Sequence, residues 1–188
     1  MGKNGIGKTT FLKCILGLEH YQGIVNFNTN SLELTRKDIF SVFDDVPFYN
    51  NLSGFKNIVL SGYKIDSKNN IEELMLLTKK KLSEKVKNYS MGECKKLSLI
   101  CAVLQNPKVL LLDEVSNGLD IDTMYILKKY LIKLKIDSVT IATGHHFEFY
   151  NDIIDDVLVL KNGTILHIRD FKGSGGDLHE IYKKYISG

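Results

Sequence analysis

Residues 1–10 read MGKNGIGKTT, and this stretch decides which fold the rest of the chain is expected to adopt. Within it, residues 2–9 fit the pattern G-x-x-x-x-G-K-[ST]. Glycines let backbone N–H groups turn inward around phosphate oxygens, in conformations that a Cβ would obstruct. At average composition the pattern arises by chance in under about 1% of chains of this length. The sequence therefore predicts a phosphate-binding loop and not an ordinary glycine turn.

The other residues of this stretch supply the chemistry of a nucleotide site. Lys8 can reach the β- and γ-phosphates, Thr9 can ligate Mg²⁺, and a helix that starts near Thr9 points its positive end at the anion. We therefore expect ATP and Mg²⁺ as cofactors, with Thr9 as a metal ligand. The candidate ATP-binding residues here are Asn4, Gly5, Gly7, Lys8, Thr9 and Thr10.

Composition places the chain among ordinary globular proteins. Its 188 residues suit one domain, 44% of them are hydrophobic and 25% are charged. The net charge of +3 is too small to argue for a nucleic-acid partner. Three unevenly spaced cysteines form no disulfide or zinc framework, which favours a reducing cytosol. No apolar run reaches the length of a membrane span and no signal peptide is visible, so a membrane role requires a partner.

Strand and helix patterns alternate along the chain and predict an α/β fold, a P-loop NTPase core with an inserted helical subdomain. Residues 1–188 are expected to form one domain, and the helical subdomain to span about 52–105. The final helix, near 178–186, is amphipathic, and Asn162-Gly163 predicts a hairpin turn. Expected helices also cover 10–18, 94–104 and 124–134; expected strands cover 24–27, 39–43, 109–112, 138–142, 157–160 and 164–168.

A second group of reactive side chains follows the apolar run 109–112. Asp113 is placed to hold Mg²⁺ directly or through water, and Glu114 can polarise an attacking water. An apolar strand that ends in Asp-Glu is a weak signal alone, because many buried strands end in charged loops. Since parallel strands bring their carboxyl ends to one edge of a sheet, the two carboxylates can serve the phosphate loop.

Residues 89–93, YSMGE, add the distinguishing motif. They resemble the Leu-Ser-Gly-Gly-Gln signature of ABC transporter ATPase subunits, which the chain resembles over nearly its whole length. Ser90 and Gly92 keep the two most informative positions, although Ser90 could also be a simple helix N-cap. In that family the signature binds the γ-phosphate of ATP held by the partner, so the resemblance implies a head-to-tail dimer. Residues 117–120 are similar to the D-loop of the family.

The resemblance also assigns two further candidate catalytic residues. Gly144-His145 is similar to the switch-histidine segment, and His145 fits that role better than its neighbour His146. Asp44 falls where the family has the glutamine of the Q-loop. Its side chain can accept from water or approach Mg²⁺, yet it is shorter and charged. The alternative is that Asp44 and Asp45 are only solvated loop carboxylates.

The start of the chain departs from the family pattern. Family members have strands before the phosphate loop and an aromatic residue that stacks on adenine, whereas only Met1 precedes the loop here. The expectation is either an N-terminally truncated frame or a degenerate paralogue.

The resemblance implies the ATP-hydrolysing subunit of an ABC transporter, with a lean towards a bacterial exporter. Expected partners are a second ABC ATPase subunit, in a homo- or heterodimer, and a transmembrane permease that holds the chain at the inner face of the cell membrane. Two other readings stay open. One is a soluble ABC ATPase of DNA repair or translation, and the other is a degenerate chain without catalytic activity.

Overall fold

The computed structural model describes residues 1–29, 32–33, 38–43, 48–62 and 76–187. A 3-10 turn, Val86–Asn88, precedes the fourth helix, and a π-helical turn, Lys183–Ser187, follows the last. In chain order, the helices and strands are α1 (Lys8–Ile15), β1 (Asn28–Thr29), β2 (Leu32–Glu33), β3 (Ile39–Val42), α2 (Gly54–Leu60), α3 (Lys79–Ser83), α4 (Met91–Gln105), β4 (Val109–Leu112), α5 (Ile121–Leu134), β5 (Val139–Ala142), α6 (Phe147–Asn151), β6 (Val157–Lys161), β7 (Thr164–Ile168) and α7 (Leu178–Tyr182).

The chain divides into two units, and a parallel sheet organises the one that spans Asn28–Ala142. Its strand order is β3-β4-β5, with Val42 opposite Leu112 and Leu112 opposite Ala142. All four residues of β4 are buried, which explains why this strand reads as a continuous apolar run. Because the strands end in register, the residues that follow β4 begin at the carboxyl edge of the sheet.

Helix α4 packs on this sheet and anchors it by a side-chain hydrogen bond. Gln105 Nε2 donates to the carbonyl of Ile39 at 3.1 Å. The helix ends where Asn106 adopts a left-handed φ of 48°, just before Pro107. The predicted helix is thus confirmed, and Cys101 belongs to its buried face. The helix predicted at 124–134 is α5, and its buried apolar residues are Leu127, Leu131 and Leu134.

The other unit, Met1–Phe27 with Thr143–Gly188, contains α1 and the β6–β7 hairpin. Asn162 and Gly163 have φ values of 50° and 73°, the left-handed pair that a two-residue hairpin turn needs, so the predicted turn is confirmed. Backbone groups of Met1 pair with β6: Leu160 N donates to Met1 O at 2.8 Å, and the Met1 amino group donates to Leu158 O.

Three predictions about secondary structure need correction. The strand expected at 24–27 is absent, and Ile24 is 84% exposed, so its side chain gains little of the burial that stabilises a strand. The first helix begins at Lys8 and ends at Ile15, earlier than expected. Gly17 has a φ of 68° there, and Leu18 N donates back to Lys13 O at 2.9 Å. The final helix changes type along its length, because α7 passes directly into the π-helical turn.

Helices α2 and α3 and the 3-10 turn lie within the span predicted for the helical subdomain. Their ends are joined by backbone hydrogen bonds from Gly54 N to Glu84 O and from Val86 N to Leu52 O. Ile71, Leu74 and Met75, apolar residues within the predicted span, lie outside the described residues. Along the described part of the chain, every helix is too short or too polar to cross a membrane.

Candidate nucleotide site

The glycines of the phosphate loop are required for two different reasons. Gly5 and Gly7 adopt φ values of 75° and 103°, which only glycine reaches without strain, while a Cβ on either would meet open space. At Gly2, a Cβ would lie 2.9 Å from the carbonyl oxygen of Leu160. Backbone conformation fixes the first two positions, and close packing against β6 fixes the third.

Lys8, at the start of α1, folds its side chain back onto the loop. Its side chain is buried, and Nζ donates to the carbonyls of Gly2 at 3.1 Å and Lys3 at 3.3 Å. Helix α1 begins at Lys8, and Thr9 and Thr10 are exposed on its first turn. An ammonium folded over a glycine loop at a helix N-terminus suits a phosphate group, so these residues fit ATP.

The phosphate loop also contacts a histidine from far along the chain. His145 Nε2 lies 2.8 Å from Asn4 Oδ1, whereas His146 is the residue that precedes α6. Packing holds the backbone before them, because a Cβ on Gly144 would lie 2.6 Å from the ring of Tyr150. Tyr150 also donates its hydroxyl to Thr143 O at 3.1 Å. The contact with Asn4 favours His145 over His146, and its role stays a prediction.

The two carboxylates after β4 sit in different surroundings. Asp113 is buried, and its N–H donates to Val42 O at 2.9 Å. Glu114 is half-buried and has a φ of 49°, a left-handed conformation that costs about 1–3 kcal/mol for a residue other than glycine. Asn117 Nδ2 donates to Glu114 Oε2 at 3.2 Å and orients the carboxylate. The surrounding structure must therefore hold Glu114 in an uncommon backbone state.

One residue that the sequence interpretation missed, Lys95, supports this turn. It is only 3% exposed, and its Nζ donates to Glu114 O at 3.1 Å and Asn117 O at 2.8 Å. The available signal was its position: Lys95, Ser98, Leu99 and Ala102 follow helical spacing and are all buried. A lysine on the buried stripe of a helix requires oxygen partners.

The signature segment caps α4. Ser90 Oγ accepts from Glu93 N at 3.2 Å, and Glu93 Oε2 accepts from Ser90 N at 2.7 Å, so the helix start is a capping box. Ser90 thus has the structural role that the sequence left open, in addition to its expected nucleotide role. Tyr89 donates its hydroxyl to Lys81 O at 2.7 Å, and burial raises the pKa of Tyr89 to about 12.

Gly92 and the expected D-loop are packed together. A Cβ on Gly92 would lie 2.6 Å from the carbonyl oxygen of Gly118, so any larger residue at position 92 must displace that backbone. Asp120 caps α5 by accepting from Thr123 N at 2.8 Å. A hydrogen bond from Lys96, with Nζ 2.5 Å from the carboxylate, holds the pKa of Asp120 well below its usual range.

Two observations bear on the expected Mg²⁺ site. Asp44 lies outside the described residues, so its expected role stays a prediction. Within the described ranges, no group of three or more His, Cys, Asp or Glu side chains is arranged to hold a metal ion. This fits Mg²⁺, which proteins usually bind through one or two side chains together with substrate phosphates.

Comparison with known proteins gives concordant matches. A family model described as "ABC transporter" matches residues 1–117. The methionine import ATP-binding protein MetN of Clostridioides difficile (strain 630) is 28% identical, over 100% of this chain and 62% of MetN. The lantibiotic transport ATP-binding protein SrtF of Streptococcus pyogenes is 30% identical, over 99% of this chain and 83% of SrtF. The chain spans 62–64% of the length of MetN and of two uncharacterized ABC ATP-binding proteins that it also matches.

Solved structures share the fold. The structure of an ATP-binding subunit of an ABC transporter has a TM-score of 0.83 at 21% identity, covering 98% of this chain and 85% of that chain. The dimeric post-hydrolysis state of the ATP-binding cassette MJ0796, bound to ADP and phosphate, has a TM-score of 0.69 at 22% identity and covers 90% of this chain and 83% of that chain.

Proposed function

This chain belongs to the ABC transporter family of ATP-binding proteins, and on that basis we propose that it binds ATP with Mg²⁺ and hydrolyses the γ-phosphate. The observation that carries the proposal is the phosphate loop. Lys8 Nζ is folded onto the carbonyls of Gly2 and Lys3, and His145 contacts Asn4. In this arrangement the loop is preformed, so little conformational entropy is lost when phosphate binds.

Each candidate residue has a defined part in the proposed reaction. Lys8 would exchange its carbonyl partners for phosphate oxygens, and Thr9 and Asp113 would hold Mg²⁺, which neutralises phosphate charge when bound. Glu114 would accept a proton from the water that attacks the γ-phosphorus. The bond between the γ-phosphorus and the oxygen that bridges it to the β-phosphate would then break, giving ADP and phosphate as products. His145 would donate to the γ-phosphate, and Asp44 would orient the water.

Substitution of Lys8 by alanine tests this proposal. We expect ATP affinity to fall roughly 10–150-fold, the equivalent of about 1.5–3 kcal/mol for a lost charged hydrogen bond. Titration with a fluorescent ATP analogue in Mg²⁺, and again in EDTA, measures the loss. Lys3→Ala is the matched control, because Lys3 is exposed and gives Lys8 only its backbone carbonyl. Equal affinity in Lys8→Ala and Lys3→Ala would contradict the proposal.

We further propose that two subunits complete each ATP site. Ser90 and Gly92 of one subunit would face the γ-phosphate held by Lys8 of the other, in a homodimer or with a second ABC ATPase. Support comes from the resemblance of residues 89–93 to the family signature and from the dimeric MJ0796 cassette that shares this fold. The capping box is compatible with this role of Ser90, because Ser90 remains exposed at the start of the helix.

A membrane-spanning permease is the proposed third component, with export as the proposed direction. Relatives are named for lantibiotic and bacitracin transport, although one is named for methionine import. Helix α2 leaves Val59 and Leu60 58% and 61% exposed, an apolar surface that a permease can cover. The chain would then work in the cytoplasm, at the inner face of the membrane.

Deleting the gene is therefore expected to lower the bacitracin or lantibiotic concentration that the cells tolerate. The natural gene should restore tolerance, whereas a Val59→Asp, Leu60→Asp variant should fail to restore it because a charged surface cannot pack against the permease. The purified variant should still hydrolyse ATP, since neither side chain belongs to the nucleotide site. Unchanged tolerance after deletion would contradict export of this class of compound.

A further inference from the structure

We propose that Lys95 is a positioning residue that orients the Glu114 side chain for ATP hydrolysis. The proposal rests on the proposed ATPase function and assigns a residue that acts through Glu114 without touching the nucleotide. Its basis is the pair of hydrogen bonds from Lys95 Nζ to Glu114 O, at 3.1 Å, and to Asn117 O, at 2.8 Å. These bonds join the buried face of α4 to the turn that follows β4.

The burial of Lys95 indicates a specific role for its charge. Lysine is almost never fully buried unless it is paired, yet Lys95 is 3% exposed, within the buried stripe of α4. The neighbouring Lys96 makes an ion pair with the exposed carboxylate of Asp120. Lys95 Nζ donates to two backbone carbonyls. A buried ammonium bound to two carbonyls strongly constrains the backbone that carries them.

The constrained backbone is the turn that orients the proposed catalytic carboxylate. Glu114 O accepts from Asn117 N at 3.0 Å as well as from Lys95, and Glu114 has a left-handed φ of 49°. The side chain of Asn117 donates in turn to Glu114 Oε2 at 3.2 Å. Lys95 therefore fixes both ends of the turn, at Glu114 and Asn117. The Asn117 side chain in turn restrains the Glu114 carboxylate through its hydrogen bond. Without the ammonium, the two carbonyls lose a shared donor and the turn can relax.

Lys95→Met tests the role, because methionine keeps the length of the side chain and removes its donors. Steady-state phosphate release should show kcat reduced roughly 10–100-fold, as expected when a reacting group is misplaced, while KM for ATP changes less than about twofold. Lys95→Arg retains donors and should recover part of the lost kcat. Lys133→Met removes an exposed lysine from helix α5 and should leave kcat and KM as in the natural protein.

A double-mutant cycle separates positioning from a general structural role. In a Glu114→Gln background, adding Lys95→Met should slow residual turnover less than about twofold, because the carboxylate that Lys95 positions is already gone. Thermal melting checks that each variant is folded, and Lys95→Gln replaces Lys95→Met in the cycle if the methionine variant does not fold.

Two results would overturn the proposal. One is an unchanged kcat in the folded Lys95 variant, and the other is the same fold reduction in kcat when Lys95 is replaced in the Glu114→Gln background. Failure of the underlying function looks different. If Glu114→Gln alone leaves turnover unchanged, then the catalytic assignment of Glu114 is wrong, whatever the Lys95 variants do.

Discussion

Glu114→Gln is expected to slow ATP turnover by roughly 10²–10⁴-fold, the loss that follows removal of a general base. An amide cannot accept the proton of the attacking water. Its carbonyl oxygen can still accept from Asn117, whose Nδ2 lies 3.2 Å from Glu114 Oε2, so the turn should stay in place. Phosphate release measures turnover, and nucleotide titration should show an ATP affinity within about twofold of the natural protein.

Asp122→Asn provides the matched control for this change. It removes the same charge from an exposed position in the first turn of α5, and turnover should stay near that of the natural protein. If Glu114→Gln turns over ATP at the unmodified rate, Glu114 is not the base. A parallel loss of ATP affinity would instead assign Glu114 to binding.

Mixing two inactive variants is expected to restore activity across the proposed dimer. Ser90→Arg blocks the signature and Lys8→Ala disables the phosphate loop, so each variant alone should fall to background. In the mixed dimer one site carries both lesions and the other carries neither. With random pairing, turnover should return to about a quarter of the natural level, because half of the dimers are mixed and each has one intact site.

Ser90→Ala controls for the lost helix cap. Removing the Ser90 hydroxyl costs about 1 kcal/mol of stability in either variant, but only arginine adds bulk to the proposed interface. Ser90→Ala should therefore melt like Ser90→Arg and keep more turnover. Full activity of Ser90→Arg alone would contradict the two-subunit site.

Features encoded within a few neighbouring residues could be predicted from the sequence. The glycine pattern around Lys8 predicted a loop that the structure shows with positive φ at Gly5 and Gly7. The run 109–112 became β4 at its predicted bounds, because four consecutive apolar residues suit a strand covered on both faces. Asn162-Gly163 likewise determined its own turn.

Features that depend on distant partners could not be predicted in this way. Residues 24–27 have the composition of a strand, but a strand exists only where another strand accepts its hydrogen bonds. The role of Lys95 depends on carbonyls 19 and 22 residues away, which no local pattern reveals. The contact between His145 and Asn4 similarly joins residues 141 positions apart. From the sequence, His145 could be singled out only through the family resemblance.

We propose that this chain hydrolyses ATP, which Lys8 binds and which is attacked by a water molecule that Glu114 deprotonates. The most direct measurement is the nucleotide that stays with the protein when excess protein is mixed with labelled Mg²⁺-ATP and separated rapidly. The natural protein should carry ADP, Glu114→Gln should carry intact ATP, and Lys8→Ala should carry neither. ADP on Glu114→Gln at the natural rate, or ATP held as tightly by Lys8→Ala as by Glu114→Gln, would contradict the claim.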